Sequence, residues 1–171
     1  MNFIERVERV FASRKMPVEL VGRVEPGSYS SDEQHALWFA QRDWRSLTSE
    51  DWIKHGDAVF RFTHEAFAYY LPSLLKISIE APDKWLNAAS AIVTLLESGS
   101  ALENWGYSHK SGFVGFSCDE FAIIREWLLF FQDRETYNEP YGTERVNRAL
   151  GTLRILQDRT GCTDSEDKRT T

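Results

Sequence analysis

The sequence has little that would commit it to a known chemistry. Of its 171 residues only two are cysteines, Cys118 and Cys162, far apart and outside any ligand-like spacing. Neither a disulfide framework nor a zinc knuckle is expected from them, and a reducing, cytoplasmic setting is the default. No apolar run is long enough to span a bilayer. The opening MNFIERVERVF sets Arg6 and Arg9 beside Glu5 and Glu8, where a secretory signal needs an unbroken apolar stretch. Basic charge is short as well, with 20 Lys and Arg against 26 Asp and Glu and a net charge of −6. Phosphate contacts need a basic stripe, so nucleic acid is not an expected partner, and neither is a membrane.

Catalytic patterns are equally scarce. No phosphate-cradling glycine loop and no dinucleotide fingerprint occurs. His64 and Glu65 begin a zinc-protease pattern, but Ala68 stands where the second His is required. Gly115, Ser117 and Asp119 have the spacing of a nucleophile elbow, yet Asp119 replaces the Gly of its tight turn and no strand signal precedes it. Asp32 and His35 share a helix face without the second such pair that a dimetal bundle requires. His35, His55, His64 and His109 are scattered singly, and a lone His is more often structural or exposed than catalytic. No catalytic residue, cofactor or metal is expected.

What the chain does have is aromatic residues, six Trp, six Tyr and eleven Phe, within an ordinary 42% apolar and 27% charged composition. Its length suits one domain that buries a core without staples. The periodicity predicts an all-α, single-domain bundle of about six or seven helices over residues 1–160, with a disordered polar tail over 161–171. The spine is the segment Asp57 to Glu80. Thr63 caps it, Phe67, Tyr70, Leu71, Leu74 and Leu75 line one face, and Pro72 imposes a kink or break. Asn2 with Glu5, Ser30 with Glu33 or Ser31 with Gln34, and Ser117 with Glu120 are expected capping boxes, and Pro17 is expected to stop the first helix. A short extended piece is expected near 18–24. Asp83 is placed to cap a helix carrying Leu86, Ala89, Ile92, Val93 and Leu96. A last helix spans Thr143 to Arg159.

Function is read from what this bundle leaves over. Between Ser30 and Phe60 six acids (Asp32, Glu33, Asp43, Glu50, Asp51, Asp57) face three bases (Arg42, Arg45, Lys54) and are interleaved with Trp38, Trp44 and Trp52. That makeup suits a surface that captures a basic protein, although a solvated helix face is the blander explanation. The irregular stretch from Ser100 to Phe116, with Trp105, Tyr107 and His109, is the second place to look. Asp32, Glu33, Trp38, Asp43, Glu50, Asp51, Trp52, Trp105, Tyr107 and His109 are therefore the candidate partner-binding residues. Two other readings compete. One is a small-molecule binder or enzyme with a pocket at the Tyr69 to Pro72 kink, and the other a structural protein that self-associates through surplus aromatics.

The run from Trp44 to Asp57, the YYLP at Tyr69 to Pro72 and FSCDEFAIIREWLLF at Phe116 to Phe130 together resemble an uncharacterised family of small bacterial proteins. Its members pair a Tyr-Leu-Pro helix with a downstream helix capped by Phe-Ser or Phe-Thr. The resemblance covers roughly the middle two thirds of the chain. Its motifs are structural, and it brings no activity and no catalytic residues with it. Small acidic bacterial proteins of this kind commonly serve as immunity or adaptor partners. By analogy of class, and with the acidic, aromatic segment as its surface, the leading expectation is a cytoplasmic helical binding protein of the immunity type that blocks a basic toxin.

Overall fold

Five of the α-helices begin where a short polar side chain, that of Asn2, Ser30, Thr48, Thr63 or Ser117, takes up a backbone N–H group that a first turn leaves free. The computed structural model describes residues 1–22, 27, 29–81, 87–97, 113–132 and 142–162. Among them are seven α-helices and no strand, so the protein is an all-α bundle. They are α1 (Phe3–Val10), α2 (Ser31–Trp38), α3 (Ser49–His55), α4 (His64–Glu80), α5 (Asn87–Glu97), α6 (Cys118–Gln132) and α7 (Gly142–Arg159). Two 3₁₀-helices, Trp44–Ser46 and Gly56–Phe60, flank α3. The expected capping boxes all form. The Glu5 N–H donates to Asn2 Oδ1 at 2.9 Å, the Glu33 N–H to Ser30 Oγ at 3.3 Å, and the Glu120 N–H to Ser117 Oγ at 3.2 Å. Ser117 is thus a cap, and none of the described residues gives it the neighbours of a nucleophile.

Helix α4 is the spine, but it differs from the amphipathic element that its sequence suggests. From Ala66 to Leu75 every residue is buried, because α1, α3, α5, α6 and the 3₁₀-helix Trp44–Ser46 all pack against it. The helix continues through Pro72 without a break, and residues 57–60, expected within it, belong to the preceding 3₁₀-helix. Two buried serines let indoles dock on this spine. Trp52 Nε1 donates to Ser73 Oγ at 2.9 Å and Trp127 Nε1 to Ser78 Oγ at 2.7 Å. Each serine hydroxyl donates in turn to the carbonyl three residues back, that of Tyr70 and of Leu75.

Two local expectations change under tertiary contacts. Helix α1 ends at Val10, well before Pro17, because the next turn is needed elsewhere. Phe11 is fully buried, and Arg14 forks onto the buried Glu120, with Nε and Nη2 each 2.6 Å from a carboxylate oxygen. Of the extended piece near 18–24 the described residues show one antiparallel bridge, Val21 to Phe62, and residues 23 and 24 of it lie outside the described residues. Thr63 holds that bridge through its N–H to the Leu20 carbonyl and its hydroxyl to the Glu19 carbonyl, both at 2.8 Å.

The cysteines also depart from expectation. Cys118 and Cys162 are joined by a disulfide, with Cα atoms 5.3 Å apart and a sequence separation of 44. Packing of α7 along α6 brings the start of one helix to the end of the other, which spacing in the sequence cannot reveal. Gly161, at φ 76°, closes α7, and the Cys162 N–H reaches back to the Gln157 carbonyl at 2.9 Å. The helical body therefore runs through Cys162, and the expected tail from 161 loses its first two residues; 163–171 lie outside the described residues. Ala89, Ile92, Val93 and Leu96 of α5 enter the core as expected, whereas Asp83 and Leu86 lie outside the described residues. No helix among the described residues is long and apolar enough to cross a membrane.

Candidate functional site

The segment from Ser30 to Phe60 folds as α2, the 3₁₀-helix Trp44–Ser46, α3 and the 3₁₀-helix Gly56–Phe60, and it sorts its two kinds of residue to opposite sides. None of its six acids is buried, while Trp44 and Trp52 are 0% and 1% exposed. Trp52 therefore belongs to the core and is corrected as a contact residue, since its indole N–H is spent on Ser73. Most of the carboxylates have structural work as well. Glu33 and Asp51 are the third residues of capping boxes, Asp43 caps the 3₁₀-helix at Trp44–Ser46, and Asp32 lies 3.4 Å from Arg61. Glu50 and Asp57 are exposed and engage no partner among the described residues. Trp105, Tyr107 and His109 lie outside the described residues.

Trp38 is half-buried and organises the exposed edge of this segment. His55 stacks on it at a centroid distance of 4.2 Å and 13° between planes, and the Arg42 guanidinium carbon is 3.8 Å from its centroid. Two groups that close cannot share one face, so Arg42 and His55 sandwich the indole between them. The Arg42 Nε also donates to the Trp38 carbonyl at 2.9 Å. Beyond His55 stands His35, edge-on at 5.1 Å. Spacing left these two histidines apart; the fold of α2 against α3 joins them. Both nitrogens of His55 and Nδ1 of His35 are buried with no hydrogen-bond partner. Burial first, then the neighbouring His35, hold the His55 imidazole below its ordinary pKa.

The kink region offers less to a ligand. Tyr69, Tyr70, Leu71 and Pro72 are all buried. The Tyr70 hydroxyl donates to the Phe39 carbonyl at 2.6 Å, with the Arg42 carbonyl at 3.3 Å, and so pins the turn in which Gln41 adopts a left-handed φ of 61°. Burial, followed by the adjacent Tyr69, pushes the Tyr70 phenol well above the usual tyrosine range. The groups that could have marked a pocket are thus used in packing and in anchoring a turn. Among the described residues no three His, Cys, Asp or Glu side chains converge as a metal site. His64 is exposed beside Glu65, as its place in the first turn of α4 suggests.

Comparison with known proteins gives no match: no family model, no curated protein and no solved structure is similar to this chain. The roles of its residues are therefore argued from geometry and charge alone.

Proposed function

We propose that this chain is a protein-binding protein of the immunity type, which blocks a basic bacterial partner through the outward side of residues 30–60. Kinship with the family that carries a Tyr-Leu-Pro helix is part of the same proposal. The observation that carries it is the sorting of that segment, which keeps all six carboxylates at the surface and turns Trp44 and Trp52 inward. Such a face attracts a cationic partner over distance and needs no reaction chemistry. Its apolar contacts come from Ile53 and Phe60, which are 56% and 51% exposed, each three residues after an unpaired acid, Glu50 and Asp57. Trp38 adds a half-exposed ring. The burial of Tyr69 to Pro72 within a continuous helix speaks against the pocket reading.

A cytoplasmic setting belongs to this reading only if Cys118 and Cys162 work as a reversible staple, because reducing compartments open such bonds; an oxidising compartment keeps it closed. The test isolates the partner from the native host with tagged protein and then measures its association rate. Glu50→Lys and Asp57→Lys reverse two charges without touching a cap or an ion pair among the described residues. The double variant should bind about tenfold more slowly at low salt, with the difference shrinking as salt is raised. Equal rates for the variant and the unmodified protein would remove the acidic face from the explanation.

A further inference from the structure

We infer that His35 and His55 form an acid-operated latch between α2 and α3, which holds α2 in place while the pair is neutral and releases it when the pair takes up a proton. The inference does not depend on what the protein binds. Its basis is the group of three buried ring nitrogens without partners, one on His35 and two on His55. A neutral imidazole has one donor and one acceptor and endures burial at modest cost. An imidazolium has two donors and a full charge, and it must find water or a carboxylate. A proton is a ligand that this pair can take; among the described residues no third His, Cys, Asp or Glu side chain converges with it.

The surroundings offer a protonated His55 little relief. Its own helix brings Asp51 and Lys54, and the α2 side brings His35 and Arg42; of these only Asp51 favours the charge. That carboxylate already accepts from the Thr48 N–H and hydroxyl, both at 2.8 Å. On α2, Asp32 is tied to Arg61 and Glu33 to the Ser30 N–H. The 3₁₀-helix after α3 adds the exposed Asp57, the Glu97 carboxylate of α5 is held by Arg145, and α4 presents the neutral Tyr70. Release falls on α2, which packs on the 3₁₀-helix Gly56–Phe60 and meets α3 chiefly at this pair of rings. Ala36 is its one fully buried residue, followed by Phe39 at its cap.

The opened protein binds more protons than the closed one, so closure is complete above the ordinary histidine value of 6.5 and is lost as pH falls below it. Amide hydrogen exchange on the intact chain between about pH 7.5 and 5 reads this directly. Protection of the α2 amides should fall by up to about tenfold per pH unit below the histidine range, while α6 amides keep theirs. His55→Phe keeps a ring on Trp38 but cannot titrate, and its α2 protection should stay flat. A flat profile in the unmodified protein, the same acid loss in His55→Phe, or an equal loss in α6 would overturn the latch. An NMR titration of the imidazoles in the unmodified protein covers the case in which the variant fails to fold. A His55 that titrates below 6.5 supports the latch, and one that titrates at or above 6.5 refutes it.

Discussion

Replacing Cys162 by Ser, or reducing the protein, opens the covalent tie between the start of α6 and the end of α7, and its cost follows from the length of chain that the bond encloses. Cys118 and Cys162 are 44 residues apart. Closing a loop of that size removes about 13 cal/mol/K of entropy from the unfolded chain, about 4 kcal/mol at 25 °C. The folded state should lose less, because Cys162 is also held by its N–H to Gln157, and a serine there stands beside the Thr160 hydroxyl as the sulfur does at 3.2 Å. Measured bonds often deliver only part of the entropic value, so a loss of about 2 to 4 kcal/mol is expected, with a fall in Tm of roughly 10 °C. Urea unfolding followed by tryptophan emission suits the measurement, since Trp44, Trp52 and Trp127 are buried and report the same core. The slope m should rise slightly in the open form, whose unfolded chain exposes more surface. Peptide mass spectrometry without reductant comes first, and free thiols in protein purified in air would end the pairing itself. If the bond is present and the oxidised and reduced proteins share one midpoint, the loop-entropy account of its role is refuted.

Two further substitutions probe the spine and a cap. Tyr70→Phe removes the donor to the Phe39 carbonyl inside the core and should cost about 1 to 3 kcal/mol in the same urea assay, so an unchanged midpoint would show that the turn at 39–42 does not need its anchor. Ser117→Ala should cost about 1 kcal/mol, since it leaves the Glu120 N–H without its side-chain acceptor. A variant as stable as the parent would mean that the fork of Arg14 onto Glu120 fixes the start of α6 without the hydroxyl.

The helices were legible because their signals are local. Asn2 with Glu5, Ser30 with Glu33, Thr63, and Ser117 with Glu120 announce starts through contacts that span three residues, and all of them form. The apolar periodicity of α6 and α7 likewise depends on the turn of one helix, and Phe121, Ile124, Leu128, Val146 and Leu153 are buried as it requires. Where α1 stops was not legible, because Arg14 answers to Glu120 from a helix more than a hundred residues away. The candidate surface was half legible. Its charge can be counted along the chain, but whether a Trp faces solvent depends on a partner such as Ser73, which spacing cannot supply.

By itself, then, the chain determined that it would be helical, where most helices begin and which residues would repel water, since each of these depends on neighbours within a turn or two. Only the tertiary structure decided that Cys118 meets Cys162, that His35 meets His55, and that α4 is enclosed on all sides. Those outcomes follow from how whole helices lie against one another, and no interval counted along a single chain encodes the distance between two packed surfaces.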